Sequence, residues 1–171
     1  MSNQANTIKP IALNASKLNV LIIGYGSIGK RKRIKYEAVG ANVTTVDLKP
    51  TSQADFIQSF SEFYKAHLGV FLGHHLIIIS TDDSSENLKI AEVCHKHFKL
   101  FNRVDNGEEG LFSDMTFQDS EHFIVAASGK AKSPNVSKFV MKQLEGHIEN
   151  LADPIKSFID QNDSHRKMEK G

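Results

Sequence analysis

A turn punctuated by three glycines does more than any other stretch to limit the folds open to this chain. Residues 19–35 read NVLIIGYGSIGKRKRIK: an apolar run, the turn, then a proline-free segment opening in basic residues. The β-branched and aliphatic residues of 19–23 predict a strand, and Gly24, Gly26 and Gly29 have the spacing of a strand running into a helix. In such a turn one glycine permits the tight bend, one lets the backbone approach a pyrophosphate, and one lets the helix pack against the strand. The diphosphate then meets free N–H groups and the positive end of the helix dipole. A second strand over 42–46 ends at Asp47, about 20 residues past the turn, where a carboxylate accepts a ribose 2′-hydroxyl and repels a 2′-phosphate. NAD is therefore the expected cofactor, with Lys49 working against that preference.

The rest of the chain reads as what this turn needs around it. The first helix is expected to stop near Gly40, a C-cap just past Val39. Its cations Lys30, Arg31, Lys32, Arg33 and Lys35 oppose the helix dipole, which points either to an anionic partner or to a solvated face. Residues 55–67 carry Phe56, Ile57, Phe60, Phe63 and Tyr64 at helical spacing, an aromatic stripe read as core packing. The run 76–80, LIIIS, suits a strand covered on both faces of a parallel sheet. One of Thr81, Asp82 and Asp83 is expected to cap a helix over 84–97, and a strand over 100–104 brings Asp105 to the same edge. Ligands of doubly wound sheets lie beyond the carboxyl ends of the strands, so this edge should face the cofactor.

Beyond Asp105 two consecutive strands, 112–117 and 122–127 with a turn at Asp119 and Ser120, break the alternation of strand and helix. Pro134 opens a helix to Glu149, and Pro154 introduces a last one to about Gln161. Residues 10–13 are read as a short edge segment. The fold class expected is α/β: a Rossmann-like parallel sheet over 1–111, an appended β-hairpin dimerisation unit over 112–145, and short C-terminal helices over 146–171.

Other chemistries find less support. A net charge of +1 gives no bulk attraction for nucleic acid, and no apolar run approaches the roughly 20 residues of a membrane span. With Cys94 as its single cysteine and no charged-then-apolar leader, the chain is expected in the cytoplasm. Cys94, His95 and His97 do not share one helix face, so no metal site is expected there, and Cys94 reads as a small core residue. Of His74 and His75 at most one can face a site. The segment 128–134, SGKAKSP, is either a loop for carboxylates or phosphate or a plain connector.

Taken in order, these segments resemble the precorrin-2 dehydrogenase family, which includes the N-terminal part of siroheme synthase. GYGSIGKRK stands where the family has GGGxVAxRK, with Arg31 and Lys32 in register; STDDSSEN, carrying Thr81, Asp82, Asp83 and Asn87, matches its ATDD and following Asn. Asn102, Arg103, Val104 and Asp105 match NxVD, and AASGKAKSP matches the terminal GGKSP segment, so the likeness covers residues 9–146. The chain departs from the pattern at Asn106 and Gly107 after Asp105, at Met115, and at Lys130 and Ala131.

The resemblance implies a homodimer that oxidises the tetrapyrrole precorrin-2 to sirohydrochlorin with NAD, with Asp105 as catalytic proton acceptor and with ferrochelatase activity in bifunctional members. It implies cofactor contacts from Gly24, Tyr25, Gly26, Ser27, Ile28, Asp47, Leu48, Thr81 and Asp82. Substrate carboxylates fall to Arg31, Ser128, Lys130 and Lys132. The departures motivate an alternative, a non-catalytic NAD-binding module working as a sensor or with a partner.

Overall fold

Apolar strands with no polar alternate need cover on both faces, and the computed structural model, which describes residues 8–129 and 134–168, supplies it. Strands β1 (Asn19–Ile23), β2 (Asn42–Asp47), β3 (Phe56–Ile57), β4 (Leu76–Ile79) and β5 (Leu100–Arg103) form one parallel sheet in the order β3-β2-β1-β4-β5. Alternate residues of the central strands point to opposite faces and so into two separate cores. Leu21, Ile23, Ile77 and Ile79 pack with Phe60, Phe63, Phe71, Ile90 and Phe101 on one side. Val20, Ile22, Leu76 and Ile78 pack with Val43, Tyr36 and Phe112 on the other.

Helix α1 (Ser27–Ala38) follows β1 and buries only Gly29, and it ends as expected, with Gly40 at φ +84° beyond the last turn. The aromatic stripe is core, yet its first residues are not helical. Asp55 turns its carboxylate onto Thr45, accepting from the backbone N–H and the hydroxyl at 2.8 Å each, and this seats Phe56 and Ile57 as an edge strand beside β2. Helix α2 (Phe60–Ala66) begins only at Ser59, where a reciprocal capping box with Glu62 satisfies the first turn. A further short helix, α3 (Leu68–Gly73), has no counterpart in the sequence reading, and residues 10–13 form no strand. Helix α4 (Ser84–Lys96) is capped by Asp83, whose carboxylate accepts from the N–H groups of Ser85 and Glu86.

The chain divides into two compact units, one to Ser113 and the other from Asp114. In the second, β6 (Thr116–Asp119) and β7 (Ile124–Ala127) pair antiparallel; β6 starts four residues later than the sequence suggests and takes in Asp119, and β7 starts two residues later because residues 120–123 close the turn through Ser120 bonded to Phe123. Helix α5 (Pro134–Glu149) packs on this hairpin, and the Thr116 and Ser137 hydroxyls meet at 2.9 Å. Helix α6 (Ala152–Met168) starts two residues before Pro154 and runs past Gln161, since proline is tolerated in a first turn. The unit buries Met141 and Ile148 but leaves Phe117, Ile124, Phe139 and Phe158 exposed.

Candidate functional site

The three glycines of the first turn do three different things. Gly24 adopts φ +92°, and a Cβ there would lie 2.5 Å from the backbone of Ser80. A Cβ on Gly29 would lie 2.1 Å from the Gly24 carbonyl oxygen, so this glycine sets the closeness of helix to strand. At Gly26 a Cβ would meet nothing within 4 Å. Gly24 and Gly29 therefore serve the packing of the turn itself, whereas the space over Gly26 is left for something else. Gly26 is also the N-cap of α1 and no side chain caps that helix end, so the positive end of the dipole faces the same opening. Ser80 ties the turn to β4 by donating its hydroxyl to the carbonyl oxygens of Gly24 at 2.8 Å and Ile23 at 3.2 Å.

Around this opening lie the carboxyl ends of β2, β4 and β5. Asp47 closes β2, half-buried, and Leu48 after it is exposed. Asp82 is drawn to Lys49, whose ammonium lies 3.0 Å from its carboxylate, so an exposed ion pair links the loops after β2 and β4. Tyr25 stacks under two cations of α1, Lys30 at 5.8 Å and Arg33 at 5.7 Å from the ring centre. Arg33 is taken up further by Glu37 and Asp55. Ser27 and Ile28 lie exposed in the first turn of α1, and Arg31 donates back to the Ser27 carbonyl at 3.3 Å.

Asp105 follows β5 and is not isolated. Arg103, two residues earlier and so on the same side of the chain, grips it with two hydrogen bonds, Nε to Oδ1 at 3.1 Å and Nη2 to Oδ2 at 2.8 Å. The remaining arm of Arg103 reaches Glu109, which also accepts from the Asn106 amide at 2.8 Å. The Arg103 guanidinium holds the Asp105 carboxyl well below the usual range, at about 2, against a smaller opposing effect of burial, with Asn87 and Ser84 adding hydrogen-bond support. Asn87 is fully buried and is oriented by Thr81, accepting from its hydroxyl at 2.6 Å and donating to its carbonyl at 3.2 Å.

The first unit thus gathers Gly24, Tyr25, Gly26, Ser27, Ile28, Asp47, Leu48, Thr81, Asp82 and Asp105 at the carboxyl edge of one sheet. Ser128 lies half-buried just after β7, in the second unit. Lys130 and Lys132 fall outside the described residues. The sequence reading gave no role to Arg103, Asn87 or Glu109. The signal for Arg103 was present, since residues two apart at the end of a strand share a side.

The histidines and Cys94 lie elsewhere. His74 bonds the Val70 carbonyl at 2.6 Å and His75 accepts from the Asn19 N–H at 2.9 Å, both at the amino ends of the strands. His97 meets the Tyr64 hydroxyl at 2.6 Å, His95 packs edge-on to Phe101, and burial pushes the Cys94 thiol up to about 12. Among the described residues no group of three or more such side chains gathers as a metal site. No described helix is long and apolar enough to cross a membrane.

A parallel sheet in this strand order, with a glycine cradle at the switch between β1 and β4, defines a dinucleotide-binding α/β domain. Residues 11–113 match the model of a family described as "Putative NAD(P)-binding". The chain belongs to that family, as a distant homologue of precorrin-2 dehydrogenase and of the N-terminal NAD-binding domain of siroheme synthase. It is 31% identical over 149 residues to siroheme synthase of Nitrosomonas eutropha, covering 81% of this chain and 30% of that protein. It is 23% identical to precorrin-2 dehydrogenase of Methanosarcina barkeri, covering 98% of this chain and 81% of that one. Among solved structures it resembles SirC, a precorrin-2 dehydrogenase, with a TM-score of 0.57 at 21% identity, over 82% of this chain and 71% of the other. The chain spans about a third of the siroheme synthase it matches.

Proposed function

We propose that this chain is an NAD-dependent dehydrogenase that oxidises precorrin-2 to sirohydrochlorin. The observation that carries the reading is the pairing, on one sheet edge, of an open glycine cradle at Gly26 with a carboxylate, Asp105, fixed after β5. The likeness to precorrin-2 dehydrogenase of Methanosarcina barkeri along almost the whole chain supports it. The N–H groups of the first turn of α1 bind the pyrophosphate, Asp47 takes the ribose hydroxyls, and Thr81 and Asp82 border the nicotinamide half. When bound, the nicotinamide supplies a two-electron acceptor. Asp105 stands beside the reacting ring of the substrate as the catalytic residue. On the first unit Arg31 meets a carboxylate of the substrate. The exposed apolar side chains of the hairpin and of α5 and α6 belong to the contact with a second copy of the chain, making a homodimer.

Incubation of the protein with precorrin-2 and NAD is expected to give NADH fluorescence and the sirohydrochlorin absorption spectrum together; neither signal appearing would sink the reading. A second reading, a dinucleotide-binding module without catalysis, draws on the engagement of Asp105 by Arg103. An absorbance titration with the tetrapyrrole separates the two: the module binds NAD and leaves the tetrapyrrole spectrum unchanged.

A further inference from the structure

We propose that Arg103 is a positioning residue for Asp105, fixing that carboxylate as a standing anion at the cofactor edge, so that Asp105 serves the reaction by its charge and does not collect the proton. The chemical half of this inference rests on the dehydrogenase reading; the structural half does not.

Arg103 is buried, 5% exposed, and its guanidinium is divided between two carboxylates. To leave Asp105 it must leave Glu109 as well or lose the fork geometry, and an arginine abandoned at that depth is costly. Glu109 is itself held by Asn106, and the loop that carries it lies tight on β5: a Cβ on Gly110 would come within 3.3 Å of the backbone of Phe101, Asn102 and Arg103. From the other side α4 presents Ser84 and Asn87, both neutral, with Asn87 locked by Thr81. Among the described residues the charged group facing Asp105 is therefore Arg103 from β5, with Glu109 behind it. The side chains that hydrogen-bond the carboxylate, Arg103, Asn87 and Ser84, favour its ionised form.

A general base works best when its pKa lies near the working pH, and a carboxylate gripped this way is far below it. A fixed anion has a different use. As a substrate carbon gives up hydrogen with its bonding pair to the nicotinamide, positive charge develops on the conjugated ring, and a preorganised carboxylate stabilises that charge. The ring then sheds one proton to solvent water. The substrate has lost two hydrogens, one as hydride now in NADH and one as a proton in solution, and Asp105 ends the cycle as it began.

The test uses the full chain labelled with carboxyl-13C aspartate, with Asp105 assigned by its absence in Asp105→Asn, and follows its titration by NMR. The expected result is a wild-type midpoint well below that of free aspartate, raised in Arg103→Gln by one unit or more, roughly tenfold in proton affinity, with Arg103→Lys in between. Glu109→Gln, which leaves the guanidinium to Asp105 alone and removes a neighbouring anion, serves if Arg103→Gln does not fold; it should lower the midpoint further, and a rise would overturn the proposal. An ordinary wild-type midpoint, or one unmoved by these changes, overturns the proposal. In turnover, kcat/KM of the wild type should show no acid limb above pH 5. A wild-type limb that disappears in Asp105→Asn would make Asp105 the proton acceptor and overturn it too. Absence of any turnover, with the NMR shifts as expected, overturns the dehydrogenase reading and the charge role while upholding Arg103 as the residue that positions Asp105.

Discussion

The two ends of the parallel sheet treat polar groups in opposite ways. At the amino end polar side chains close on backbone that would otherwise lack partners: His75 takes the Asn19 N–H, His74 the Val70 carbonyl, and Lys99 donates to the carbonyl oxygens of Leu72 at 2.6 Å and His74 at 2.9 Å. These bonds finish the last turn of α3 and the starts of β1 and β4. At the carboxyl end the Ser80 hydroxyl ties the turn to β4, while Gly26 is left open and α1 starts without a side-chain cap. Polar side chains thus close the backbone at one end, whereas at the other the backbone over Gly26 stays open. A histidine or a lysine in the sequence does not say which end it belongs to.

The glycines offer the strongest way to break this contrast. Gly24→Ala and Gly29→Ala drive a methyl into backbone at 2.5 Å and 2.1 Å and should each cost about 3 kcal/mol or more, read as a lower urea midpoint. Gly26→Ala meets no atom, so stability should hold within about 0.5 kcal/mol while NAD affinity, read by fluorescence quenching, falls roughly tenfold or more. If Gly26→Ala binds NAD as the wild type does, the open space is not the pyrophosphate site. Next in size, Asp105→Asn should lower precorrin-2 turnover about 100-fold with the NAD dissociation constant unchanged. Unchanged turnover would remove Asp105 from the mechanism.

The two ends should also separate on a pH axis. Asp105 is depressed from 3.8 to about 2 by Arg103, so the stability it lends is complete above pH 4 and is lost as pH falls toward 2, on the order of 1–2 kcal/mol after solvent screening. His74 is held neutral mainly by burial, its pKa below the ordinary 6.5, so the unfolded chain takes up the proton first and stability starts to fall as pH drops below 6.5. Melting curves from pH 8 to pH 5 should show that decline in the wild type and a shallower one in His74→Asn, which keeps a donor for Val70. An equal decline in both would assign it to other groups. The smallest effect belongs to Lys49, whose partner Asp82 is exposed. Lys49→Ala should leave the melting temperature in place and weaken NADP more than NAD; tighter NADP binding in the variant would show that Lys49 does not face the 2′ position.

Much of the glycine cradle and of the sheet around it was legible from sequence. Gly24, Gly26 and Gly29 stand in a local pattern whose geometry is dictated by backbone sterics within a few residues, and the continuous apolar runs 19–23 and 76–80 carry the message that both faces are covered. Residues 55–67 show the opposite case. Their apolar spacing is helical, but Asp55 has a long-range partner in Thr45, and two hydrogen bonds at 2.8 Å to a buried residue outweigh a weak local preference. The hairpin was recognised as two strands but its turn was placed too early: the hydroxyl of Ser120 closes the turn over 120–123, so Asp119 pairs in β6 and β7 begins only at Ile124.

Asp105 shows the limit most plainly. Its place at the end of a strand follows from the apolar run before it and the turn residues after it, both local features that the order of amino acids fixes. Its charge state does not. That depends on the folding of the 106–110 loop back over β5, which brings Glu109 to Arg103, and on the packing of α4, which brings Asn87 within reach. Electrostatic coupling acts through space at distances of a few ångströms, between groups up to 21 positions apart in the chain, so only the packed fold could turn an aspartate at a strand end into a clamped anion.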